Sequence, residues 1–336
     1  MEFMKKNALC IIALSFLLGV GGCVAPNSVT LIGPTNFPLT TERSQAQSDS
    51  DTNPESDCER IAFVKANYQL NENPDIYVSC EDGSHVTKLT NNPASDLMPS
   101  WSLDSTQIAF ASLRTGSSQI FVMDQNGSGQ KQITFVNSND WPVWLPDTKT
   151  IAFRTTDGDG LWWWRFLNLE SDEIQNLTEP SFDFFYQKLS WSPDGKLDAY
   201  MSMEEQKTRN DGSSQIHIRN IDGSADQTLT DNIWANILPL WSPNGQRIAF
   251  LSEMQGQYDI YALYIINSDG TNLRQLTDSK YTDTGTSYSW SQDGKTIAIG
   301  DSNIGRIMLI DVISSNSAEL PVTKNGETSF WPVWQP

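Results

Sequence analysis

Histidine is scarce in this sequence, and the recognisable motifs of enzyme active sites are missing. The chain has two histidines, His85 and His217, which are too few for a three-histidine metal site. It contains neither a Gly-x-Ser-x-Gly nucleophile elbow nor a His-Glu-x-x-His zinc motif. Both histidines fall in or beside segments with a strand-like pattern. We therefore expect a protein that is not an enzyme and that needs no cofactor.

Positive charge is also in short supply. Lysine and arginine number 22 against 41 aspartates and glutamates, which gives a net charge of −19 at pH 7. Nucleic acids and polyanionic glycans bind through clustered basic residues, so this composition argues against both as partners. The acidic balance suits a basic protein surface or a cation, or it serves solubility alone.

Long hydrophobic runs are limited to the N-terminus. Lys5 and Lys6 precede an apolar run, residues 8–20, which is short for a membrane-spanning helix and typical of a signal peptide. The run ends in Val20-Gly21-Gly22-Cys23, which resembles a bacterial lipobox.

The lipobox resemblance implies that residues 1–22 are a removed signal peptide and that Cys23 carries lipid, tethering the chain to a membrane without spanning it. Cleavage without lipidation is the alternative. Val24 stands where an aspartate would favour inner-membrane retention, so we expect a lipid-anchored protein of the bacterial cell envelope, with the outer membrane favoured. Residues 23–57 hold few large apolar side chains and are predicted to be a disordered tether.

The chain has four cysteines, and each of them fits an exported protein. Cys10 lies in the signal peptide and Cys23 takes the lipid, which leaves Cys58 and Cys80. Residues 61–65 and 75–80 have the pattern of neighbouring antiparallel strands, so the two cysteines should lie opposite each other. We predict a disulfide between Cys58 and Cys80 in an oxidising compartment.

A ten-residue motif is repeated along the rest of the chain. Its clearest copy, Trp241 to Phe250, has Ser-Pro-Asn-Gly between two apolar stretches, the pattern of a tight turn joining two strands. The anchoring tryptophan recurs every 43 to 50 residues, a spacing typical of propeller blades. The anchors are Trp101, Trp144, Trp191, Trp241, Trp290 and Trp334.

The two ends of the repeat region complete one another. Trp334 is followed by two residues only, whereas Arg60 to Phe63 has the second strand of the motif without a tryptophan before it. We therefore predict that residues 58–336 form an all-β, six-bladed propeller of four-stranded antiparallel blades. One blade takes its inner strand from the C-terminus and its other three strands from residues near 60 to 90, which closes the ring.

The elements of the repeat, such as Trp-Ser-Pro-Asp-Gly-Lys at 191–196, Ile-Ala-Phe at 248–250 and Gln-Leu-Thr at 275–277, resemble those of the WD40-like β-propeller repeats of the TolB family. The resemblance covers residues 58–336. The α/β domain that precedes the propeller in that family has no counterpart in the length or pattern of residues 1–57. The resemblance implies a scaffold that binds another envelope protein, such as a lipoprotein, and we expect this chain to be a monomer.

In a propeller of this topology, short turns lie on one rim and longer connections on the other. Function in a rigid scaffold usually lies on longer loops, so the long-loop rim is the predicted binding face. Trp234 and Asp231, in one such loop, are the leading contact candidates. Trp163, with Phe184 and Tyr186 nearby in sequence, is a second candidate group, although packing between blades would also explain Trp163.

An alternative hypothesis is an extracytoplasmic module that binds a carbohydrate or a peptide, with or without Ca²⁺. Aspartates that precede inner strands could supply oxygen ligands to Ca²⁺, namely Asp96, Asp140 and Asp283. Solvated loop carboxylates explain the same residues, so no metal site is assigned.

Overall fold

The computed structural model describes residues 58–156, 161–176, 190–203, 214–253, 260–278, 281, 287–301, 304–324 and 326–336. These residues form six antiparallel sheets of four strands each, which are the six predicted blades. No helix among them is long and apolar enough to cross a membrane. The predicted signal peptide, Cys23 and the tether lie outside the described residues.

The blades follow one another around the ring, each with its strands in order from the central channel outward. Blade 1 consists of β24 (Thr328–Trp334), β1 (Arg60–Ala66), β2 (Asp75–Cys80) and β3 (Thr87–Lys88). Blade 2 consists of β4 (Asp96–Trp101), β5 (Gln107–Ser112), β6 (Gln119–Asp124) and β7 (Lys131–Gln132). Blade 3 consists of β8 (Ser138–Trp144), β9 (Thr150–Thr156), β10 (Trp162–Asn168) and β11 (Ile174–Asn176).

The other three blades repeat this arrangement. Blade 4 consists of β12 (Ser190–Trp191), β13 (Leu197–Met203), β14 (Ser214–Asn220) and β15 (Gln227–Thr228). Blade 5 consists of β16 (Asn236–Trp241), β17 (Arg247–Glu253), β18 (Tyr261–Asn267) and β19 (Arg274–Gln275). Blade 6 consists of β20 (Tyr288–Trp290), β21 (Thr296–Asp301), β22 (Arg306–Asp311) and β23 (Ser317–Glu319). The outer strands are short, which limits exposed sheet edges.

Ring closure is confirmed. The C-terminal strand β24 pairs with β1, so that Trp334 lies opposite Ile61, and β1 pairs with β2. Cys58 and Cys80 are joined by a disulfide in the structure, with their Cα atoms 5.6 Å apart. The bond ties Cys58, two residues before β1, to the last residue of β2, in the blade that closes the ring.

The repeated turn follows the sequence pattern closely. In blade 5 the Ser242 N–H donates to the Arg247 carbonyl at 2.8 Å, and the Ser242 hydroxyl donates to the Asn244 side chain at 2.8 Å. Gly245 has a φ of 68°, a left-handed conformation that costs glycine little. The serine, the polar residue and the glycine of the motif thus each form part of the turn.

The hydrophobic core lies in the seams between blades. In five blades the second strand has a fully buried isoleucine at the same position. These residues are Ile61, Ile108, Ile151, Ile248 and Ile297. Ile248 packs in a cluster with Ala199, Ile216 and Trp241, which combines residues of blades 4 and 5. The repeat therefore specifies apolar faces that neighbouring blades bury against each other.

Candidate functional site

Four inner strands contain the same irregularity, which shapes the central channel. Met98, Trp141, Leu238 and Trp331 each precede a proline and each have a φ between 50° and 55°. The pairing register of their strands with the second strand shifts at these points, as in a β-bulge. A left-handed conformation is unfavourable for large side chains, so the surrounding sheet must hold these residues in place.

Two of these bulged residues meet across the channel. The rings of Trp141 and Trp331 are 6.2 Å apart, edge to face, although their blades 3 and 1 are separated by blade 2. Inner strands of blades that are not neighbours can approach each other only across the channel. Phe330 packs against Trp331 at 5.0 Å, and all three rings are partly exposed. The channel is therefore narrowed by aromatic rings.

Charged side chains pair near the long-loop ends of the inner strands. Asp96 accepts two hydrogen bonds from Arg114 at 3.0 and 3.1 Å, and Asp140 accepts two from Arg154 at 2.8 Å each. The Arg154 guanidinium also lies over the Trp162 ring at 4.3 Å. These contacts hold the carboxylates and the arginines in fixed positions.

These aspartate–arginine pairs include two of the suggested calcium ligands. Asp96 and Asp140 each lie against an arginine, which competes with a cation for their oxygens. Asp283 lies outside the described residues. Among the residues that the structure describes, no group of three or more His, Cys, Asp or Glu side chains is placed to hold a metal ion.

A hydrogen-bond network that sequence reasoning missed recurs in blades 1, 2 and 4. In each, a threonine hydroxyl donates to a carboxylate or amide oxygen at the start of the third strand and accepts a backbone N–H. The donor–acceptor pairs are Thr90 with Asp75 at 3.0 Å, Thr134 with Gln119 at 2.8 Å and Thr230 with Gln215 at 2.8 Å. We call this arrangement the seam latch.

The seam latch extends into the following blade. Asn139 of blade 3 donates to Gln119, and Asn236 of blade 5 donates to Gln215, at 3.0 and 3.3 Å. The recurring Leu-Thr or Ile-Thr pair, 14 residues after the start of a third strand, was the available sequence signal. The latch fixes the angle between blades at the long-loop rim.

The long-loop rim carries exposed apolar side chains. Those with exposed fractions of 46 to 72% are Tyr68, Leu70, Phe135, Val136, Ile233 and Ile304. They belong to connections between second and third strands or between blades, at four places around the ring. The short-turn rim also has exposed apolar side chains, at Val86, Leu103, Leu273 and Ile313, so exposure alone does not distinguish the two rims.

Trp234 and Asp231 are where the sequence places them, in the connection from blade 4 to blade 5. Asp231 is exposed and Trp234 is half-buried. The Trp234 N–H donates to Asn232 at 2.9 Å and its carbonyl accepts from Asn236 at 3.1 Å. Since Asn236 belongs to the seam latch, the loop is fixed to the blades below it.

Trp163 requires a correction. It is 6% exposed, so its ring offers almost no surface to a partner, and it is an interior packing residue rather than a contact residue. It occupies the position at which blades 1, 2 and 4 have Asp75, Gln119 and Gln215. Phe184 and Tyr186 lie outside the described residues, so their role stays a prediction.

A buried ion pair interrupts the apolar face of blade 4. Asp198 replaces the isoleucine of the other five blades, and Arg219 lies beside it with 3.4 Å between the Arg219 nitrogen and the Asp198 oxygen. The side chains are 3% and 16% exposed. Burial raises the pKa of Asp198 to about 7, although Arg219 acts in the opposite direction.

The rest of this cluster is polar as well. The Arg219 guanidinium lies over the Tyr200 ring at 4.1 Å, and the Tyr200 hydroxyl donates to Asp226 at 2.5 Å. The Asp226 carboxylate also contacts His217 at 3.2 Å. Burial and the neighbouring Asp226 carboxylate raise the pKa of Tyr200, so its hydroxyl stays protonated.

The fold and the rim define a six-bladed β-propeller with its longer loops on one face. Residues 54–208 and 188–336 match the model of the TolB beta propeller domain, and the chain belongs to this family. The resemblance drawn from the repeats is confirmed.

Known relatives match shorter stretches. A protein TolB homolog of Chlorobium luteolum is 45% identical over 17% of this chain and 13% of its own length. Dipeptidyl-peptidase 5 of Porphyromonas endodontalis is 34% identical over 32% of this chain and 15% of its own length. The chain thus spans a small part of these two relatives.

Among solved structures, TolB from Acinetobacter baumannii superposes with a TM-score of 0.70 and 22% identity. The match covers 83% of this chain and 67% of that one. At this identity the likeness concerns the fold.

Proposed function

We propose that this protein is a lipid-anchored propeller of the bacterial cell envelope that binds another envelope protein through its long-loop rim. The observation that carries the proposal is the greater length of the connections on that rim, which hold six exposed apolar side chains at four places around the ring. A contact area of this breadth suits a protein surface, which typically covers about 800 Å² per partner. The TolB-type propeller supports an interaction role.

The anchor is part of the same proposal. Residues 1–22 serve as the signal peptide, Cys23 takes the lipid, and residues 24–57 connect it to the propeller. A disulfide between Cys58 and Cys80 is stable in an oxidising compartment such as the periplasm. The outer membrane is the favoured location because Val24 follows the lipidated cysteine. A relative in Desulfosudis oleivorans is named Tol-Pal system protein TolB.

The anchor is tested by labelling cells with a radioactive fatty acid. We expect label on the wild-type protein, and recovery of the protein in the membrane fraction. A Cys23→Ala variant should lose the label and appear in a soluble fraction. Equal labelling of both proteins would contradict lipidation at Cys23.

The rim is tested by crosslinking and pull-down from the native envelope with the full-length, anchored protein. The test variant combines Trp234→Ala with Asp231→Ala, and the control is Leu103→Ala, an exposed leucine in a short turn of the opposite rim. We expect one envelope protein to be recovered with the wild type and the control and lost with the rim variant. Recovery in all three would place the contact elsewhere.

A carbohydrate- or peptide-binding module is the second candidate. The partly exposed pair Trp141 and Trp331 favours it, because aromatic faces stack on sugar rings and on apolar side chains. Tryptophan fluorescence during titration with sugars, peptides and Ca²⁺ tests it. A saturable change abolished by Trp331→Leu would support this module, and unchanged fluorescence with every ligand would count against it.

Peptidase activity is not carried over from the relatives. The peptidase named above is matched over 15% of its own length, and no nucleophile motif occurs in this sequence. We therefore propose a binding role without catalysis.

A further inference from the structure

The six seams of the ring can be compared at one position of the repeat. In every blade the second strand has a fully buried alanine that faces the following blade. These alanines are Ala62, Ala109, Ala152, Ala199, Ala249 and Ala298. In five seams the alanine packs in one cluster with the anchoring tryptophan and the second-strand isoleucine of the following blade. Both blades therefore contribute apolar side chains to these five seams.

The seam between blades 3 and 4 differs from these five. Within the part of the chain that the structure describes, the cluster around Ala152 includes one residue of blade 4, Trp191. Trp191 is partly exposed, whereas the other five anchoring tryptophans are buried. Asp198 occupies the position of the isoleucine, and its buried Oδ1 atom has no hydrogen-bond partner among the described residues. Blade 4 thus presents an unsatisfied polar atom to the apolar face of blade 3, which weakens the seam.

The short turns of blade 4 stand apart from blade 3 as well. In blade 5, a β-carbon added at Gly245 would lie 3.5 Å from Pro193 of blade 4, an ordinary van der Waals contact. At Gly195, the equivalent glycine of blade 4, it would meet no described atom within 4 Å. The same holds at Gly223, in the outer turn of blade 4. Both short turns of blade 3 are among the described residues, so the gap is a feature of this seam.

The seam latch also lacks an acceptor between blades 3 and 4. Trp163 occupies its position in β10, where blades 2 and 4 have Gln119 and Gln215. Gln119 accepts a hydrogen bond from Asn139 of the following blade, whereas an indole ring has no acceptor atom. The corresponding link to the following blade therefore cannot form from Trp163.

The closing seam, between blades 6 and 1, has the contacts that this seam lacks. The Trp334 N–H donates to the Ser289 hydroxyl at 3.1 Å. A β-carbon added at Gly83 of blade 1 would lie 2.5 Å from Pro321 of blade 6, so these two turns are in close contact. The two seams lie on opposite sides of the ring, because two other seams separate them in either direction.

We propose that the ring opens reversibly at the seam between blades 3 and 4, with the closing seam as the hinge, because the Asp198–Arg219 pair replaces apolar contacts there. Blades 1 to 3 and blades 4 to 6 then move as two halves and widen the central channel. Trp141 and Trp331, which meet in the channel, belong to blades 3 and 1, so their contact does not hold the halves together. The opening is a property of the ring alone and needs no partner.

Thiol labelling measures the opening of each seam separately. Each of the six alanines is replaced in turn by cysteine, a small and largely apolar side chain, in the mature protein, and the wild-type chain gives the background. A buried thiol reacts only when its seam opens, so we expect Ala152→Cys to react at least about ten times faster than the other five. Equal rates at all six positions, or the fastest rate for Ala298→Cys at the closing seam, would overturn the proposal.

Urea separates a local opening from complete unfolding. The denaturant dependence of a process scales with the surface that it exposes. The labelling rate of Ala152→Cys should therefore rise little with urea below the unfolding transition, whereas the rates of the other five should rise steeply. An equally steep rise for Ala152→Cys would show that its thiol reacts from the unfolded chain and would contradict the opening.

Hydroxyl-radical footprinting of the wild-type protein repeats the comparison without a substitution. Trp164, 1% exposed, lies in the cluster of this seam, and Trp334, 4% exposed, lies in the cluster of the closing seam. We expect Trp164 to be oxidised faster than Trp334, although it is the more deeply buried of the two in the closed ring. Equal or slower oxidation of Trp164 would count against the proposal.

A repaired seam tests the cause of the opening. Asp198→Ile combined with Arg219→Ile, introduced into the Ala152→Cys protein, gives blade 4 the apolar residues of blade 5. We expect labelling of the Ala152→Cys thiol to slow at least about tenfold, because the seam then closes through apolar contacts from both blades. An unchanged or faster rate would overturn the proposal.

Discussion

Blades 4 and 5 have different side chains at four equivalent positions. Blade 5 has Ile248, Phe250, Tyr264 and Ile266, which pack against blade 4. Blade 4 has Asp198, Tyr200, His217 and Arg219 at the equivalent positions. The backbone pairing is the same in both, so the strands form without the apolar set. What differs is the free energy of packing at these positions. A buried ion pair loses more free energy in desolvation than its mutual attraction returns, unless every polar atom has a hydrogen-bond partner.

The blade 4 cluster is incompletely satisfied. Asp198 Oδ1, Arg219 Nε and His217 Nε2 are buried without a hydrogen-bond partner among the described residues. Buried polar groups without partners each cost about 1 to 3 kcal/mol. The comparison therefore predicts that blade 4 contributes less to stability than blade 5 and that its contribution depends on pH.

The largest effect is expected when the blade 4 carboxylate is placed in blade 5. Ile248→Asp would bury a carboxylate with no arginine beside it, since the cross-strand residue there is Ile266. We expect a loss of about 4 kcal/mol or more in the free energy of unfolding, measured by urea denaturation. Ile248→Val, which keeps an apolar side chain, is the control and should cost about 1 kcal/mol. Similar costs for both variants would contradict the role of the uncompensated charge.

Breaking the ion pair in blade 4 comes next. Arg219→Met would leave Asp198 buried without its cation, and removal of one partner of a buried pair costs about 3 to 5 kcal/mol. The loss should be larger at pH 8 than at pH 5, because protonation of Asp198 removes the unpaired charge. Denaturation at both pH values, with Lys131→Met at an exposed position as the control, measures it. A loss that does not depend on pH would argue against charge as the cause.

Converting blade 4 to the residues of blade 5 should raise stability. Asp198→Ile combined with Arg219→Ile removes both charges together, and such replacements are neutral or stabilising by about 1 to 4 kcal/mol. The midpoint of urea unfolding should rise, and the circular dichroism spectrum should stay that of the wild type. A less stable double variant would show that the polar cluster is better packed than its unpaired atoms indicate.

The last prediction concerns the pH dependence of Asp198 itself. Its pKa is raised to about 7 in the folded protein and lies at its ordinary value, about 4, in the unfolded chain. The folded state therefore binds the extra proton between these values, so the free energy of unfolding falls as pH rises from about 4 to 7. Asp198→Asn should lack this fall and should gain stability relative to the wild type as pH rises. A constant difference between the two proteins from pH 4 to pH 8 would contradict the raised pKa.

The architecture could be predicted from the sequence because the blade motif is repeated along the chain. Tryptophan anchors, Asp-Gly turns and Ile-Ala-Phe strands define one blade, and the incomplete copies at the two ends define the closure. Asp198 is also visible in the sequence at a position where the other blades have isoleucine. The intact Trp191 motif before it drew no attention to this difference. Redundancy makes the fold easy to predict and hides single departures.

The candidate site was less predictable because it depends on contacts between blades. The meeting of Trp141 and Trp331 requires the ring to close and two bulges to form, and neither residue shows this in its own motif. The burial of Trp163 depends on its neighbours, so an exposed ring could not be told from a packed one.

The central claim, that the long-loop rim is the docking face, is tested most directly by site-specific photo-crosslinking in living cells. A photoreactive amino acid is placed in turn at Tyr68, Phe135 and Ile233 on the long-loop rim, and at Val86, Leu103 and Ile313 on the opposite rim. The account predicts that the three long-loop positions crosslink to the same envelope protein and that the three opposite positions do not. Crosslinks to one partner from the short-turn rim, with none from the long-loop rim, would contradict it.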